Sequence, residues 1–273
     1  MTGSAGNAAG LFDLLSTFDS VLVAFSGGVD SSYLAWAATQ VLGPRALCVT
    51  ADSPSYPDGH RRMALAIAQQ FALHHEIIAT SEIERDEYRA NPVNRCYFCK
   101  TELYTALSAM ARARGIEAIL DGANADDRTD YRPGRQAARE FGVRSPLDDA
   151  NLTKDDIRAL SRQAGLPTWD EPASACLSSR IPYHSEVTPE KLQMIERAEQ
   201  AVRSLGFRVC RVRHHDALAR VEIGRDELDR ALTTDMSGRI AELLRAVGYR
   251  EVTIDPRGYR SGSLNEGIRL QPV

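Results

Sequence analysis

Between Ala24 and Ser32 the chain reads Ala-Phe-Ser-Gly-Gly-Val-Asp-Ser-Ser, with an apolar run, Val21 to Phe25, leading in and an apolar-periodic segment, Tyr33 to Leu42, leading out. That order is strand, glycine loop, helix start. Gly27 and Gly28 let the backbone turn tightly and aim several N–H groups at one point. Ser26, Ser31 and Ser32 add hydroxyl donors, and the helix N-terminus adds partial positive charge, so the stretch makes a cradle for a phosphate chain. Asp30 is placed to hold Mg²⁺ on a pyrophosphate, because Mg²⁺ favours a carboxylate together with phosphate oxygens. A glycine pair after a strand would by itself mean only a tight turn. The whole string is more specific, and it is neither the Gly-Lys-Ser/Thr phosphate loop nor Gly-x-Gly-x-x-Gly.

The second chemical group is sulfur. Cys96 and Cys99 form a Cys-x-x-Cys, and Cys176 stands in a proline-punctuated stretch. The pair alone fits a redox dithiol, half a zinc site or half an iron–sulfur site. A redox dithiol expects a thioredoxin-like order of elements, which this chain lacks. Zinc needs a fourth ligand, for which His184 is the candidate, since no second Cys-x-x-Cys occurs. Three thiolates suit a 4Fe-4S cluster whose fourth iron is open to an outside ligand. Cys48 and Cys210 lie inside apolar strands and read as packing. His74-His75 and His214-His215 do not read as metal sites, because strand neighbours point to opposite faces.

These residues need elements to place them. A short amphipathic helix is expected over Gly10–Phe18 and a strand over Val21–Phe25. Further strands are expected over Ala46–Thr50, Glu76–Ala79, Ala118–Leu120 and Val143–Leu147. Helices are expected from Asp58 to Leu73, through Leu103, Leu107 and Met110, and from Pro133 to Phe141. Thr153 to Asp156 opens another in capping-box fashion. Asp52 and Ser53 sit at the exit of the Ala46–Thr50 strand, where ligands of open α/β sheets bind, and are the candidate adenosine contacts. Asp121-Gly122-Ala123-Asn124-Ala125-Asp126-Asp127 is a similar strand exit. Strands alternating with helices predict βαβ units and an α/β parallel sheet with helices on both faces. Residues 1–183 are read as this domain. Residues 184–273 are read as a smaller α+β domain, with a helix over Pro189–Leu205, strands over Phe207–Val212 and Leu218–Ile223, a helix over Met236–Val247 and a last strand over Val252–Ile254. Arg211 and Arg213 alternate on one strand and so share a face.

Composition narrows the partners. The chain has 273 residues, 43% hydrophobic, with net charge −4 and five cysteines. The charge gives no electrostatic footprint for nucleic acid. No apolar run approaches a membrane span, and the start of the chain has no basic region before an apolar one, so no secretory signal is expected. A cytoplasmic protein with metal-binding or catalytic cysteines is the expectation.

The loop matches Ser-Gly-Gly-x-Asp-Ser and so resembles the pyrophosphate loop of the N-type ATP pyrophosphatases. These split ATP between the α and β phosphates, place AMP on a carboxylate or carbonyl oxygen, and let a nucleophile displace it. Over nearly its whole length the chain resembles the LarE family of ATP-dependent sulfur transferases. The resemblance is carried by Ser26–Ser31, Asn94-Arg95-Cys96-Tyr97-Phe98-Cys99-Lys100, Asp121–Asp127, Tyr131-Arg132-Pro133-Gly134, Ala175–Tyr183 and Arg211-Val212-Arg213-His214. It implies a Rossmann-like ATP pyrophosphatase fold of the adenine nucleotide alpha hydrolase type. It also implies adenylation of a carboxylate of pyridinium-3,5-biscarboxylic acid mononucleotide, then replacement of AMP by sulfur to give a thiocarboxylate for nickel-pincer nucleotide synthesis.

Some members of the family sacrifice the sulfur of a cysteine matching Cys176. Others carry the Cys-x-x-Cys and resemble cluster enzymes that hold a sulfide on the fourth iron. Cys96 and Cys99 put this chain with the second group, with Cys176 as third ligand. By the same resemblance Ser179, Arg180, Arg211 and Arg213 hold the substrate phosphate, for which guanidinium pairing is suited. Glu199 and Glu222 are acidic positions near the substrate or a metal, an exposed salt bridge being the plainer role for Glu199. ATP, Mg²⁺ and a 4Fe-4S cluster are the implied cofactors, a small nucleotide and a sulfide donor the partners, and a homo-oligomer the assembly. The rivals are a tRNA thiolase, which needs a basic surface, and an amidating ligase resembling NAD synthetase, which needs no cysteine trio. A nucleotide-binding regulatory protein would leave Cys96, Cys99 and Cys176 unexplained.

Overall fold

A computed structural model describes residues 2–129, 132–172 and 175–260, with side chains from residue 6 onward. Tyr131 of the sequence motifs and the end of the expected second domain lie outside the described residues. The chain divides into two compact units.

The first unit comprises the described residues of Met1–Glu82 and Asn94–Ser174. Its strands are β1 (Val21–Ala24), β2 (Ala46–Asp52), β3 (His74–Ala79) and β4 (Ala118–Leu120), in the order β3-β2-β1-β4. All pairs are parallel, with Val21 level with Ala46 and with Ala118, and Leu47 level with His74. Parallel neighbours need crossovers, which helices supply. The helices are α1 (Thr2–Ser16), α2 (Val29–Leu42), α3 (Asp58–Gln70), α4 (Asp86–Arg89), α5 (Arg95–Arg114), α6 (Gly134–Glu140), α7 (Pro146–Asp149) and α8 (Lys154–Gln163), of which α4 belongs to the second unit.

Val21, Leu22 and Val23 are all fully buried, because a central parallel strand is covered on both faces. Val21 and Val23 pack into one core with Leu34, Ile67 and Ile157. Leu22 packs into another with Tyr104, Leu107 and Ala137. The α/β class and the helix-covered parallel sheet are as expected.

Four local expectations change. The first helix starts eight residues earlier, at Thr2, and ends at Ser16. Helix α2 begins at Val29, so Asp30, Ser31 and Ser32 lie in its first turn rather than in the loop. Val143–Leu147 is not a strand. Only Arg144 bridges Leu120, because Pro146 sets the first turn of α7 and ends the extended run. Cys96 and Cys99 lie on α5, not before it.

The second unit takes Ile83–Val93 and the described residues from Ala175 onward. Its sheet has the order β5-β6-β7, from β5 (Cys210–His215), β6 (Leu218–Ile223) and β7 (Glu251–Ile254). Strand β5 is antiparallel to β6, and β6 is parallel to β7. Helices α9 (Pro189–Ser204), α10 (Leu228–Leu232) and α11 (Thr234–Val247) complete it, over a core that includes Ala198, Val202, Val212, Val221, Ile240 and Leu244. The expected boundary at residue 184 is thus moved. The loop holding Cys176 belongs to the second unit, as does an excursion from the middle of the first. No helix among the described residues is long and apolar enough to cross a membrane.

Candidate functional site

In the first unit the turn from β1 into α2 is drawn tight. Gly27 has φ +66°, and a Cβ there would lie 3.0 Å from Ala64 Cβ and Ala64 N of α3. Gly28 caps α2 without a side-chain bond, leaving the first N–H groups of the helix to be met from outside. The Ser31 hydroxyl accepts from Ser26 N (3.2 Å), lies 3.0 Å from the Ser26 hydroxyl and donates to Gly28 O (3.2 Å). Ser32 is fully buried, and its hydroxyl has no hydrogen-bond partner among the described residues.

Asp30 is the charged member of the turn. Its carboxylate accepts from Lys154 Nζ (2.5 Å) and Asn124 Nδ2 (3.3 Å). Lys154 is there because Thr153 caps α8 in a box with Asp156, and because Lys154 N donates to Asp126 (2.8 Å). The turn after β4 lies hard against the loop: a Cβ on Gly122 would stand 3.0 Å from Ser31 N. Burial raises the Asp127 carboxyl above its usual range, and the negative charge of Asp30 adds to the rise, against Arg132.

Asp52 ends β2, with Arg61 at 3.8 Å. Ser53 and Ser55 both donate to the buried carboxylate of Glu82 (2.7 and 2.5 Å), and Tyr56 donates to Ser26 O (2.9 Å). The β2 exit is therefore tied to the phosphate loop on one side and to Glu82 on the other.

Cys96 and Cys99 lie at the start of α5, three residues apart and so neighbours on the helix surface. Cys96 is exposed, and Cys99 and Cys176 are half-buried. Cys48 and Cys210 are buried, and burial pushes both thiols up to about 12. The three thiols the sequence singles out are therefore those with access to solvent, and thiolate donors suit iron–sulfur clusters. Cys96 and Cys99 belong to the first unit and Cys176 to the second. Among the described residues no group of three or more His, Cys, Asp or Glu is assembled at metal-holding distance. His75 bonds Thr50 and His214 bonds Tyr249, as side chains with packing roles would.

In the second unit Cys176 caps a 3₁₀ turn, Leu177–Arg180. Arg180 is 1% exposed. Its guanidinium grips Glu199 at 2.8 and 3.1 Å, and also donates to the carbonyls of Ala175 and Cys176 and to the Ser179 hydroxyl. Arg213 donates twice to Glu222 (3.0 and 2.7 Å) and to Ser179 O (2.8 Å). Arg211 lies over the Tyr259 ring at 5.1 Å. Burial lowers the pKa of Arg211, and the like charge of Arg180 lowers it further, against Glu199. Burial works to raise the Glu199 carboxyl, but the charge and hydrogen bonds of Arg180, with Arg211 and Arg203, hold it down to about 2. The plainer alternative for Glu199, an exposed salt bridge, does not hold, because α9 turns that residue inward at 1% exposure. Arg203 and Arg220 complete the ion pairs of Glu199 and Glu222. Four guanidiniums thus pair with two carboxylates, and the charge of Arg211 also acts on Glu199, an excess of positive charge suited to an anion.

The structure gathers Ser26, Gly27, Gly28, Asp30 and Ser31 into one turn, with Asp52 and Ser53 at the neighbouring strand exit. It gathers Cys176, Ser179, Arg180, Glu199, Arg211, Arg213 and Glu222 into one cluster. Lys154, Glu82 and Tyr56 were missed. Lys154 followed a helix cap and read as part of it, and the other two sit in polar segments with no periodicity to mark them.

A parallel sheet with a glycine-rich turn at the end of its central strand defines a nucleotide-phosphate-binding α/β protein. The sequence model of the asparagine synthase family matches residues 14–236. The chain belongs to this family of PP-loop ATP pyrophosphatases, enzymes that use ATP. It is 45% identical over 247 residues to an uncharacterised protein of Synechocystis, covering 90% of this chain and 92% of the relative. It is 34% identical over 269 residues to the pyridinium-3,5-bisthiocarboxylic acid mononucleotide synthase of Lactiplantibacillus plantarum, covering 98% and 97%. One component of the glutamine-hydrolysing GMP synthase of Thermoplasma acidophilum is 30% identical over 197 residues, covering 66% and 62%.

Proposed function

We propose that this ATP pyrophosphatase is a sulfur transferase acting on a carboxylate of pyridinium-3,5-biscarboxylic acid mononucleotide. The observation that carries the reading is the end-to-end similarity to the Lactiplantibacillus synthase. The three solvent-accessible cysteines and the cationic cluster beside Cys176 support it.

The β and γ phosphates of ATP would lie against the N–H groups that open α2, with Ser26 and Ser31 as hydroxyl partners. Asp30 would hold Mg²⁺ and Lys154 would draw off phosphate charge. A substrate carboxylate oxygen attacks the α-phosphorus, the bond to pyrophosphate breaks, and an acyl adenylate forms. A sulfur nucleophile then adds to the acyl carbon, AMP leaves with the bridging oxygen, and a thiocarboxylate remains. The positive charge of Arg180, Arg211 and Arg213, with Ser179, would hold the substrate phosphate, while Glu199 and Glu222 keep the guanidiniums oriented. Cys96, Cys99 and Cys176 would be the thiolate ligands of a 4Fe-4S cluster. When bound, the cluster supplies the sulfide.

The test supplies anaerobically purified protein with ATP, Mg²⁺, the mononucleotide and sodium sulfide. Expected are AMP and pyrophosphate, formed only with the mononucleotide present, and a product in which sulfur replaces a carboxylate oxygen. ADP as the nucleotide product, or AMP with no sulfur in the product, contradicts the proposal.

A further inference from the structure

The excursion Ile83–Val93 packs within the second unit, away from the sequence neighbours on either side of it. Asn91 in this excursion is fully buried and adopts φ +53°, a left-handed conformation that Asn takes more readily than other side-chain-bearing residues. Its amide nitrogen donates to the carbonyls of Pro182 (2.7 Å), Ser185 (3.0 Å) and Ile181 (3.4 Å). Its own carbonyl accepts from His184 N (2.9 Å). Tyr88, also buried, brings its hydroxyl to 2.5 Å from the Ser178 hydroxyl, and Arg89 O accepts from Val187 N (2.9 Å).

These bonds fall on one stretch, Ser178–Val187, which continues directly from Cys176 and contains Ser179 and Arg180. That stretch has no strand or long helix to hold it, and Pro182 removes a backbone donor from its middle. Arg180 anchors it towards Glu199, and Arg213 holds the Ser179 carbonyl. Tyr88 and Asn91 hold it from a third direction, through groups some ninety residues earlier in the chain.

We propose that Tyr88 and Asn91 are positioning residues for the Cys176–Arg180 loop, setting the Cys176 thiol as a ligand and the Arg180 guanidinium beside it. This rests on the reading that the loop serves sulfur transfer. Both residues belong to the second unit and the nucleotide turn to the first, so substituting them leaves the hydrogen bonds of that turn in place.

The test compares wild type with Tyr88→Phe, which removes one hydroxyl, and Asn91→Asp, which keeps size but turns a donor into an acceptor facing three carbonyls. In thiocarboxylate formation each variant is expected to leave the KM for ATP unchanged and lower kcat about ten- to a hundredfold, the scale of a small misplacement of reacting groups. In a second readout, made without substrates on metal-free protein, iodoacetamide labelling of Cys176 relative to Cys96 is followed by peptide mass spectrometry. That ratio is expected to shift severalfold. Wild-type kcat with an unchanged ratio overturns the proposal. So does a parallel change at Cys96, Cys176 and the KM for ATP, which would mark general unfolding. If wild type forms no thiocarboxylate, the functional reading fails, and the labelling ratio alone decides the positioning claim.

Discussion

Lys154 is the residue whose side chain completes the charge arrangement of the phosphate turn. Its ammonium rests on Asp30 at 2.5 Å, so a triphosphate entering the turn gains a cation already in place. Lys154→Met is expected to lower kcat/KM for ATP by about ten- to a hundredfold, the loss of one charge-assisted hydrogen bond of about 1.5–3 kcal/mol. AMP release measured against ATP concentration checks this, and an unchanged value speaks against the assignment.

Glu199 makes a pH prediction. Its folded pKa of about 2 lies below the ordinary value of 4.5. Its contribution to stability is therefore present above that ordinary value and lost as pH falls from there towards 2, by about 3 kcal/mol in all. Glu199→Gln is expected to cost about 3–5 kcal/mol at neutral pH, because Arg180 is left buried without its counter-charge. It is also expected to flatten the decline in melting temperature below pH 4.5. A variant that loses stability with acid as steeply as wild type contradicts this.

At the scale of elements, the two glycines of the β1–α2 turn have different tasks. Gly27→Ala meets both a left-handed backbone and a 3.0 Å contact with Ala64, and is expected to destabilise by about 1–3 kcal/mol and to abolish ATP binding. At Gly28 the φ is −82° and a Cβ would stand 3.5 Å from Ser26 Oγ, an ordinary contact. Gly28→Ala is expected to melt close to wild type. Thermal unfolding with and without ATP separates the two, and equal effects would contradict the geometry.

The glycine pair, the apolar runs of β1 and β2 and the capping box of α8 were all legible because each is local. Which glycine carries the strain was not, since that depends on α3 lying across the turn. The reading of Val143–Leu147 as a strand failed because apolar content outweighed Pro146. The apolar spacing of Leu103, Leu107 and Met110 marks only the later part of α5, so the Cys-x-x-Cys at its start is not legible as helical.

For the molecule as a whole, the division into units follows contacts that sequence order hides. Glu82 ends the run of the first unit, bonded to Ser53 and Ser55, and Ile83 begins the excursion that carries Tyr88 and Asn91 into the second. Hydrogen bonds spanning some ninety residues leave no periodic trace, so a boundary drawn at residue 184 cut through the second unit. A fragment of residues 184–273 lacks Tyr88, Asn91 and the Cys176–Tyr183 loop, and Glu199 in it has lost Arg180. It is expected to show no cooperative thermal transition by circular dichroism. A sharp transition in that fragment would contradict the two-unit division.

In the proposed reaction sulfur reaches an adenylated carboxylate without consuming Cys176. The most direct measurement supplies isotopically labelled sulfide with ATP, Mg²⁺ and the mononucleotide under anaerobic conditions. Mass spectrometry then weighs both the product and the peptide containing Cys176. The expected result is labelled sulfur in the product over repeated turnovers and a Cys176 peptide of unchanged mass. Unlabelled sulfur in the product with loss of the Cys176 sulfur, or a product with no sulfur at all, would contradict it.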